Sequence, residues 1–127
     1  MGLSITGLRQ VLFNNVVELK FARRNPVPGR AATRRMLASL NPQILDSELG
    51  RSIFNFKPSV YSLPYNAAAL NLLVVFDLFM QDWRAIPVNS TEIIRILPSS
   101  PVTEFWKYFN EVLSKMTSAQ KAAFMEQ

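Results

Sequence analysis

Residues Asn71 to Leu97 read NLLVVFDLFMQDWRAIPVNSTEIIRIL, and this stretch decides the predicted fold. β-Branched and aromatic residues dominate Leu72 to Leu78, a segment apolar on both faces that predicts a largely buried strand. After a short break, a second strand is predicted over Trp83 to Val88. A polar corner at 89–91 then leads into a third strand, Glu92 to Leu97. The stretch therefore predicts a hairpin, a corner and a return strand.

A second hairpin is predicted upstream of this stretch. Ser4 to Asn14 has apolar residues at three- and four-residue spacing behind a serine N-cap, which predicts a short helix. Val16 to Arg24 alternates apolar and polar residues as a strand does, and Thr33 to Leu40 can form its partner. The intervening 25–30 segment, NPVPGR, contains two prolines and a glycine, which favour a loop.

The remaining segments are predicted to be a loop insertion and a helical tail. Residues 46–69 are the least regular part of the chain and are predicted to be a loop. Ser100 and Pro101 give a helix-start signal, and Ser118 to Met125 is predicted as a second short helix behind a capping box. We therefore expect a domain of small-barrel type over 1–100. A helical extension over 101–127 is expected to pack on the barrel or on a partner.

Composition excludes several kinds of chemistry. The 127 residues are 49% hydrophobic and 18% charged, which is typical of one globular domain. The chain has no cysteine and no histidine, so disulfides, thiolate metal sites and histidine-dependent catalysis are ruled out. Asp77 and Asp82 alone are too few ligands to predict a metal site, and hydrogen bonding in the hairpin loop is the predicted role of both. Asp82 could also pair with Arg84, which follows Trp83. We expect no enzyme, no cofactor and no small-molecule substrate.

Hydropathy and the N-terminal residues suggest where the protein acts. The longest apolar run, near residues 70–76, is too short to cross a bilayer. The opening residues, MGLSITGLRQ, lack the pattern of a secretory signal peptide. A protein of the cytoplasm or of a cytoplasm-assembled particle is therefore expected, neither secreted nor membrane-spanning.

Three segments of the chain, VVELKFARR at 16–24, TRRMLASLNPQIL at 33–45 and NLLVVFDLFMQDWRAIPVNSTEI at 71–93, resemble those of a family of small uncharacterised barrel proteins of tailed bacteriophages. That family has the Src-homology-3-like fold, with strands of the type V-x-V-x-F-x-K/R and R-x-M-x-x-T/S-L-N-P. A hairpin of the type V-W/F-D-L-x-x-x-x-W-R-S/A-I/F then closes on D/N-S-I. The matching positions fall within residues 5–45 and 71–95: Val17, Leu19, Phe21, Arg23, Arg34, Met36, Leu40, Asn41, Pro42, Val75, Phe76, Asp77, Leu78, Trp83, Arg84, Ile86, Asn89 and Ser90.

The resemblance implies a fold and a phage context, in the host cytoplasm or the virion. It implies no particular activity. The chain departs from the family pattern in its longer 46–69 segment and its added 101–127 tail. The pattern of predicted elements gives the same fold class: mainly β with flanking helices, an α+β domain built on a small antiparallel barrel of about five strands.

Basic residues cluster in the first predicted hairpin, and the chain carries a net charge of +5. The segment between Glu18 and Asp46 contains no acidic residue. If the two strands pair, the basic side chains could contact nucleic-acid phosphates, with Tyr61, Tyr65 or Trp83 stacking on bases. A solvated surface, or salt bridges to a partner subunit, would explain the cluster equally well. The candidate residues are Lys20, Arg23, Arg24, Arg30, Arg34 and Arg35.

Apolar residues at the second hairpin tip and along the tail are the other candidate surface. A small barrel has limited area to cover them, and exposed apolar patches usually mark partner contacts. The candidate interface residues are Phe79, Met80, Trp83, Phe105, Trp106, Phe109 and Phe124. Our leading hypothesis is a non-enzymatic phage-type module that self-associates or docks on a protein assembly. The alternative is a nucleic-acid-binding regulatory or accessory protein that uses the basic hairpin.

Overall fold

The structure is a computed structural model that describes residues 4–25, 28–58 and 68–126. The strands are β1 Val16–Ala22, β2 Thr33–Ser39, β3 Leu72–Asp77, β4 Asp82–Pro87 and β5 Glu92–Leu97. The helices are α1 Ile5–Asn14, α2 Pro42–Leu45, α3 Glu48–Ile53, α4 Val102–Glu111 and α5 Ser118–Met125. Single turns of 3₁₀ helix cover Ala68–Leu70, Val88–Ser90 and Leu113–Lys115.

The strands form one antiparallel sheet in the order β4-β3-β2-β1-β5. This confirms five antiparallel strands with flanking helices and the mixed α+β class. Among the described residues the end strands β4 and β5 are not paired with each other, so the sheet is open and the predicted closed barrel is not confirmed. The predicted corner is present as the Val88–Ser90 turn, in which Thr91 N donates to Val88 O at 3.2 Å.

Pairing is uneven across the sheet. β1 and β2 pair along their whole length, from Val16 opposite Ser39 to Ala22 opposite Thr33. By contrast, β2 and β3 pair only at Ala38 opposite Asp77 and at Ser39 opposite Phe76. The two strands are offset: Leu78 N, just beyond β3, donates to Leu37 O at 2.9 Å, and the first half of β2 extends past the end of β3.

Both faces of the sheet are covered, because alternate strand residues enter two separate hydrophobic clusters. Val17, Leu19 and Phe21 of β1 belong to the first cluster, with Leu8 and Leu12 of α1. This confirms the predicted facing of β1. The second cluster lies on the opposite face, where Val16, Leu37 and Phe76 from the sheet meet residues of α2, α3 and α4. A strand buried on both sides explains why β3 is continuously apolar.

The 46–69 segment was predicted to be a loop, and that was wrong for residues 48–53, which form α3. Ser47 caps this helix by accepting from Gly50 N at 3.0 Å. A Cβ at Gly50 would lie 2.0 Å from Ile44 O, so only glycine permits α3 to pack this closely on α2. The packing carries Phe54 and Phe56 into the second cluster. Residues 59–67 lie outside the described residues.

The tail consists of two helices, α4 and α5, whose N-caps differ. Thr117 and Gln120 form the predicted capping box of α5, with Thr117 N donating to Gln120 Oε1 at 2.8 Å. The predicted serine cap of α4 is wrong: the N-cap is Pro101, and α4 starts one residue later than expected. Within the described ranges, no helix combines the length and the apolar character needed to cross a membrane.

Candidate anion-binding site

The basic residues of the first hairpin are divided between the two faces of the sheet. Arg34 follows the alternation of Met36 and Ala38, whose side chains enter the first cluster. Lys20 and Arg35 are cross-strand neighbours on the opposite face. The six predicted residues therefore do not form one finger, because the two-residue period of a strand separates neighbours in sequence.

Arginines nevertheless converge at one end of the first cluster. There the structure has a concave site of about 290 Å³, which we call the arginine cleft. Phe21, Met36 and Ile86 contribute buried apolar surface to it. Its other lining residues include five arginines from the β1–β2 connection, β2 and β4: Arg23, Arg24, Arg30, Arg34 and Arg84.

A carboxylate from the far end of the chain lies beside two of these arginines. Glu126 Oε1 accepts a hydrogen bond from Arg23 Nη2 at 2.9 Å and from Arg30 Nε at 3.1 Å. Arg23 Nε also donates to Ala31 O at 2.9 Å, which orients its guanidinium. The hydrogen bond from Arg30, together with the charge of Arg23, holds the pKa of Glu126 below its usual range.

Arg34 pairs with a buried acid beneath the cleft. Arg34 Nη2 lies 2.5 Å from Asp77 Oδ2, and their side chains are 15% and 1% exposed. Asp77 Oδ1 also accepts from Phe79 N and Met80 N, each at 3.1 Å, so the acid stabilises the β3–β4 turn as predicted. Burial raises the pKa of Asp77, and the Arg34 guanidinium opposes that rise.

Arg84 of β4 completes the cleft from the other side. Its Nη1 donates to Asp82 Oδ2 at 2.9 Å, the pairing expected from the sequence, and to Trp83 O at 3.0 Å. The hydrogen bond from Arg84 lowers the pKa of Asp82. Four of the cleft arginines thus share three carboxylates, which leaves positive charge in excess. A guanidinium group can donate two parallel hydrogen bonds to a phosphate or a carboxylate, so the cleft is suited to bind such anions.

Arg35 lies on the opposite face of the sheet and pairs there with Glu18. Its Nη1 lies 3.4 Å from Glu18 Oε2, while Arg95 Nη2 lies 3.8 Å from Glu18 Oε1. Glu18 is largely buried there, so these pairs compensate a charge beneath the tail. Lys20 and Arg35 are therefore set apart from the other four predicted basic residues.

The apolar candidates are mostly packed against their own chain. Phe105 is fully buried, and Trp106 and Phe109 contact Phe54 with ring centroids 5.9 and 5.5 Å away. The Trp83 ring lies 5.4 Å from that of Phe76 and is half-buried. The Phe79 and Phe124 rings contact each other at 5.4 Å. Of the seven predicted interface residues, Met80 alone is mainly exposed, at 45%.

The predicted stacking aromatics cannot be placed in the cleft. Tyr61 and Tyr65 lie outside the described residues, and Trp83 does not line the cleft. In the part of the chain that the structure describes, no group of three acidic residues is placed to hold a metal ion. What the site offers is guanidinium groups above an apolar floor.

Two residues of the site were missed in the sequence. Arg84 was noticed beside Trp83 but not grouped with the hairpin arginines; its alternation with Ile86 would have placed both on the inner face of β4. Glu126 gave no usable signal, because 103 residues separate it from Arg23 along the chain. Comparison of the chain with protein-family models, curated proteins and solved structures finds no match, so the argument for function rests on this site.

Proposed function

We propose that this protein is a non-enzymatic module that binds single-stranded nucleic acid through the arginine cleft. One observation carries the proposal: five arginines from three separate parts of the chain converge on one concave site. Neutralising backbone phosphates dominates sequence-independent affinity for nucleic acids, and arginine is the residue best suited to hold a phosphate through two hydrogen bonds.

The dimensions of the cleft favour a single strand. A volume of about 290 Å³ admits a phosphate with part of its sugar and base, which a flexible single strand can present more easily than a stiff duplex. Phe21, Met36 and Ile86 lie beneath the guanidinium groups but are almost fully buried, so they offer a ligand little contact surface. With no described aromatic side chain exposed in the cleft for stacking, contacts to the backbone would dominate. Binding of this kind is salt-dependent and weakly sequence-specific.

The finer fold assignment forms part of the same proposal. The strand order β5-β1-β2-β3-β4, with a single 3₁₀ turn before β5, supports a Src-homology-3-like arrangement that is left open as a sheet. Together with the resemblance to phage barrel proteins, it supports an accessory role in the cytoplasm of an infected host or in the virion.

The proposal is tested by fluorescence polarisation with a labelled random-sequence 20-mer, as DNA and as RNA, in 25 and 200 mM salt. We expect binding at low salt that weakens steeply at high salt. The variant R24Q/R30Q/R84Q should bind at least about tenfold more weakly, with a salt slope lower by about 2 to 3. The matched control R51Q/K107Q/K115Q removes the same charge from exposed residues that do not line the cleft. No binding at 25 mM salt, or equal losses in both variants, would refute the proposal.

A second candidate function is docking on a protein assembly, and the edge strand β5 favours it. Among the described residues β5 pairs only with β1, and its Ile94 and Ile96 are 39% and 51% exposed. An exposed apolar edge strand can pair with another chain. Native mass measurement at increasing concentration should then show self-association that I94K/I96K abolishes. A strict monomer at every concentration would contradict assembly through this edge.

A further inference from the structure

The helix α5 buries less side-chain surface than the helices α1 and α4, each of which has at least one buried residue. None of its residues is fully buried. Its apolar anchor is Phe124, whose ring contacts that of Phe79 at 5.4 Å, with Lys121 Nζ 5.5 Å from the Phe79 centroid. Cavities of about 200 and 160 Å³ adjoin the helix, one lined by Lys121 and the other by Phe124. An element with little buried apolar surface detaches at low free-energy cost.

The C-terminal end of this helix reaches the arginine cleft. Glu126, which caps α5, bridges Arg23 and Arg30 through a single carboxylate oxygen. The preceding residue, Met125, places its sulfur 3.6 Å from Arg34 Nη2. Three of the five cleft arginines therefore contact the last turn of α5 or its cap. The carboxylate meets the two guanidinium groups as a phosphate oxygen of a ligand would meet them.

We propose that α5 is an autoinhibitory latch: Arg23 and Arg30 form a phosphate subsite, and the protein fills it with its own Glu126 carboxylate until nucleic acid displaces the helix. This inference rests on the function proposed above and adds its regulation. A tethered carboxylate has a high effective concentration, so it competes with a free ligand although it contributes only one weak anchor. Release of α5 removes one negative charge from the cleft and frees two guanidinium groups at once.

Two substitutions in the full-length chain test the latch by different routes. E126Q removes the carboxylate charge but keeps the shape of the side chain. F124A weakens the apolar anchor and leaves every charge in place. Both should bind the 20-mer about fivefold to tenfold more tightly than the wild-type chain, and E126Q should steepen the salt slope by about 1 to 2. The matched control E111Q removes an equal charge from an exposed residue of α4 and should stay within about twofold.

Hydrogen exchange supplies the second measurement. Adding the 20-mer to the wild-type chain should speed exchange of the α5 amides while those of α4 stay protected. If the wild-type chain binds through its arginines but E126Q and F124A match E111Q, the latch is refuted and the binding function survives. If no variant binds at 25 mM salt, both proposals fail.

Discussion

The helices α4 and α5 follow one another in the same tail, yet different interactions hold them in place: buried apolar contacts for α4 and mainly ion pairs for α5. α4 inserts Phe105 into the second cluster, where its ring meets those of Phe54, Trp106 and Phe109. α5 has no fully buried residue and ends in an exposed ion-pair bridge. Buried apolar area gives a salt-independent attachment, whereas exposed ion pairs contribute little and weaken with salt. α4 is therefore part of the hydrophobic core, whereas α5 can detach without unfolding the domain.

The largest expected effect comes from breaking the core attachment. F105A removes a fully buried ring and should lower the free energy of unfolding by about 4 kcal/mol, because a cavity is left among close-packed neighbours. F124A, on α5, should cost about 1 kcal/mol or less. Urea unfolding followed by the fluorescence of Trp83 and Trp106 measures both. Equal costs would show that α4 and α5 are attached alike.

The second-largest effect on stability should come from the buried Arg34–Asp77 pair, in contrast to the partly exposed pairs of Glu126. R34M leaves the buried Asp77 carboxylate without its counter-charge, while Asp77 still accepts from Phe79 N and Met80 N. We expect a loss of about 3 kcal/mol in the free energy of unfolding, and R34M/D77N should recover a large part of it, because no uncompensated charge then stays buried. E126Q should leave the urea midpoint nearly unchanged. An R34M variant as stable as the wild type would contradict this account of the cleft.

A smaller effect is expected at the N-cap of α5, where a substitution should change only the local stability of this helix. T117A removes the hydroxyl that accepts from Gln120 N at 3.1 Å and should cost the helix about 1 kcal/mol. The loss should appear as faster amide exchange in α5 with no change in global unfolding. S118A, one residue further on, provides the control, because Ser118 plays no part in the capping box. If T117A lowered global stability equally, α5 would belong to the same cooperative unit as α4.

The pH dependence should have opposite signs at the two carboxylates. The pKa of Glu126 is lowered in the folded chain, so its contribution is present above the unfolded value near 4.5 and is lost as pH falls through the folded pKa. α5 should therefore loosen in acid, and E126Q should abolish that response. The pKa of Asp77 is raised, so its contribution to global stability decreases as pH rises through the folded value. Amide exchange of α5 and urea unfolding, each followed against pH, separate the two.

Local patterns predicted most of the secondary structure. The central hairpin, the corner before β5, the N-terminal helix and the capping box of α5 all follow from alternation, helical spacing and capping residues within a few positions. The prediction failed where contacts are distant. α3 depends on the approach of Gly50 to the α2 backbone, and the sheet is open because β4 and β5 do not pair among the described residues.

The candidate site was only partly predictable. The sequence drew attention to the arginines of the first hairpin, because a run without acids is visible directly. Which of them act together depends on the face of the sheet toward which each side chain points. Arg35 lies on the opposite face and pairs with Glu18, whereas Arg84 of β4 lines the cleft. The tail aromatics looked like a partner surface because a barrel offers little area to cover them. The structure shows that α3 supplies part of that cover through Phe54.

The sequence by itself determined the elements and the chemistry that is absent: strands from two-residue alternation, helices from their spacing and caps, and no cysteine or histidine. Only the tertiary structure decided which charges meet. An ion pair depends on distance in space, and Glu126 reaches Arg23 across 103 residues of chain because α5 lies against β2. Burial was decided in the same way, since whether Phe105 is core or surface depends on what packs over it.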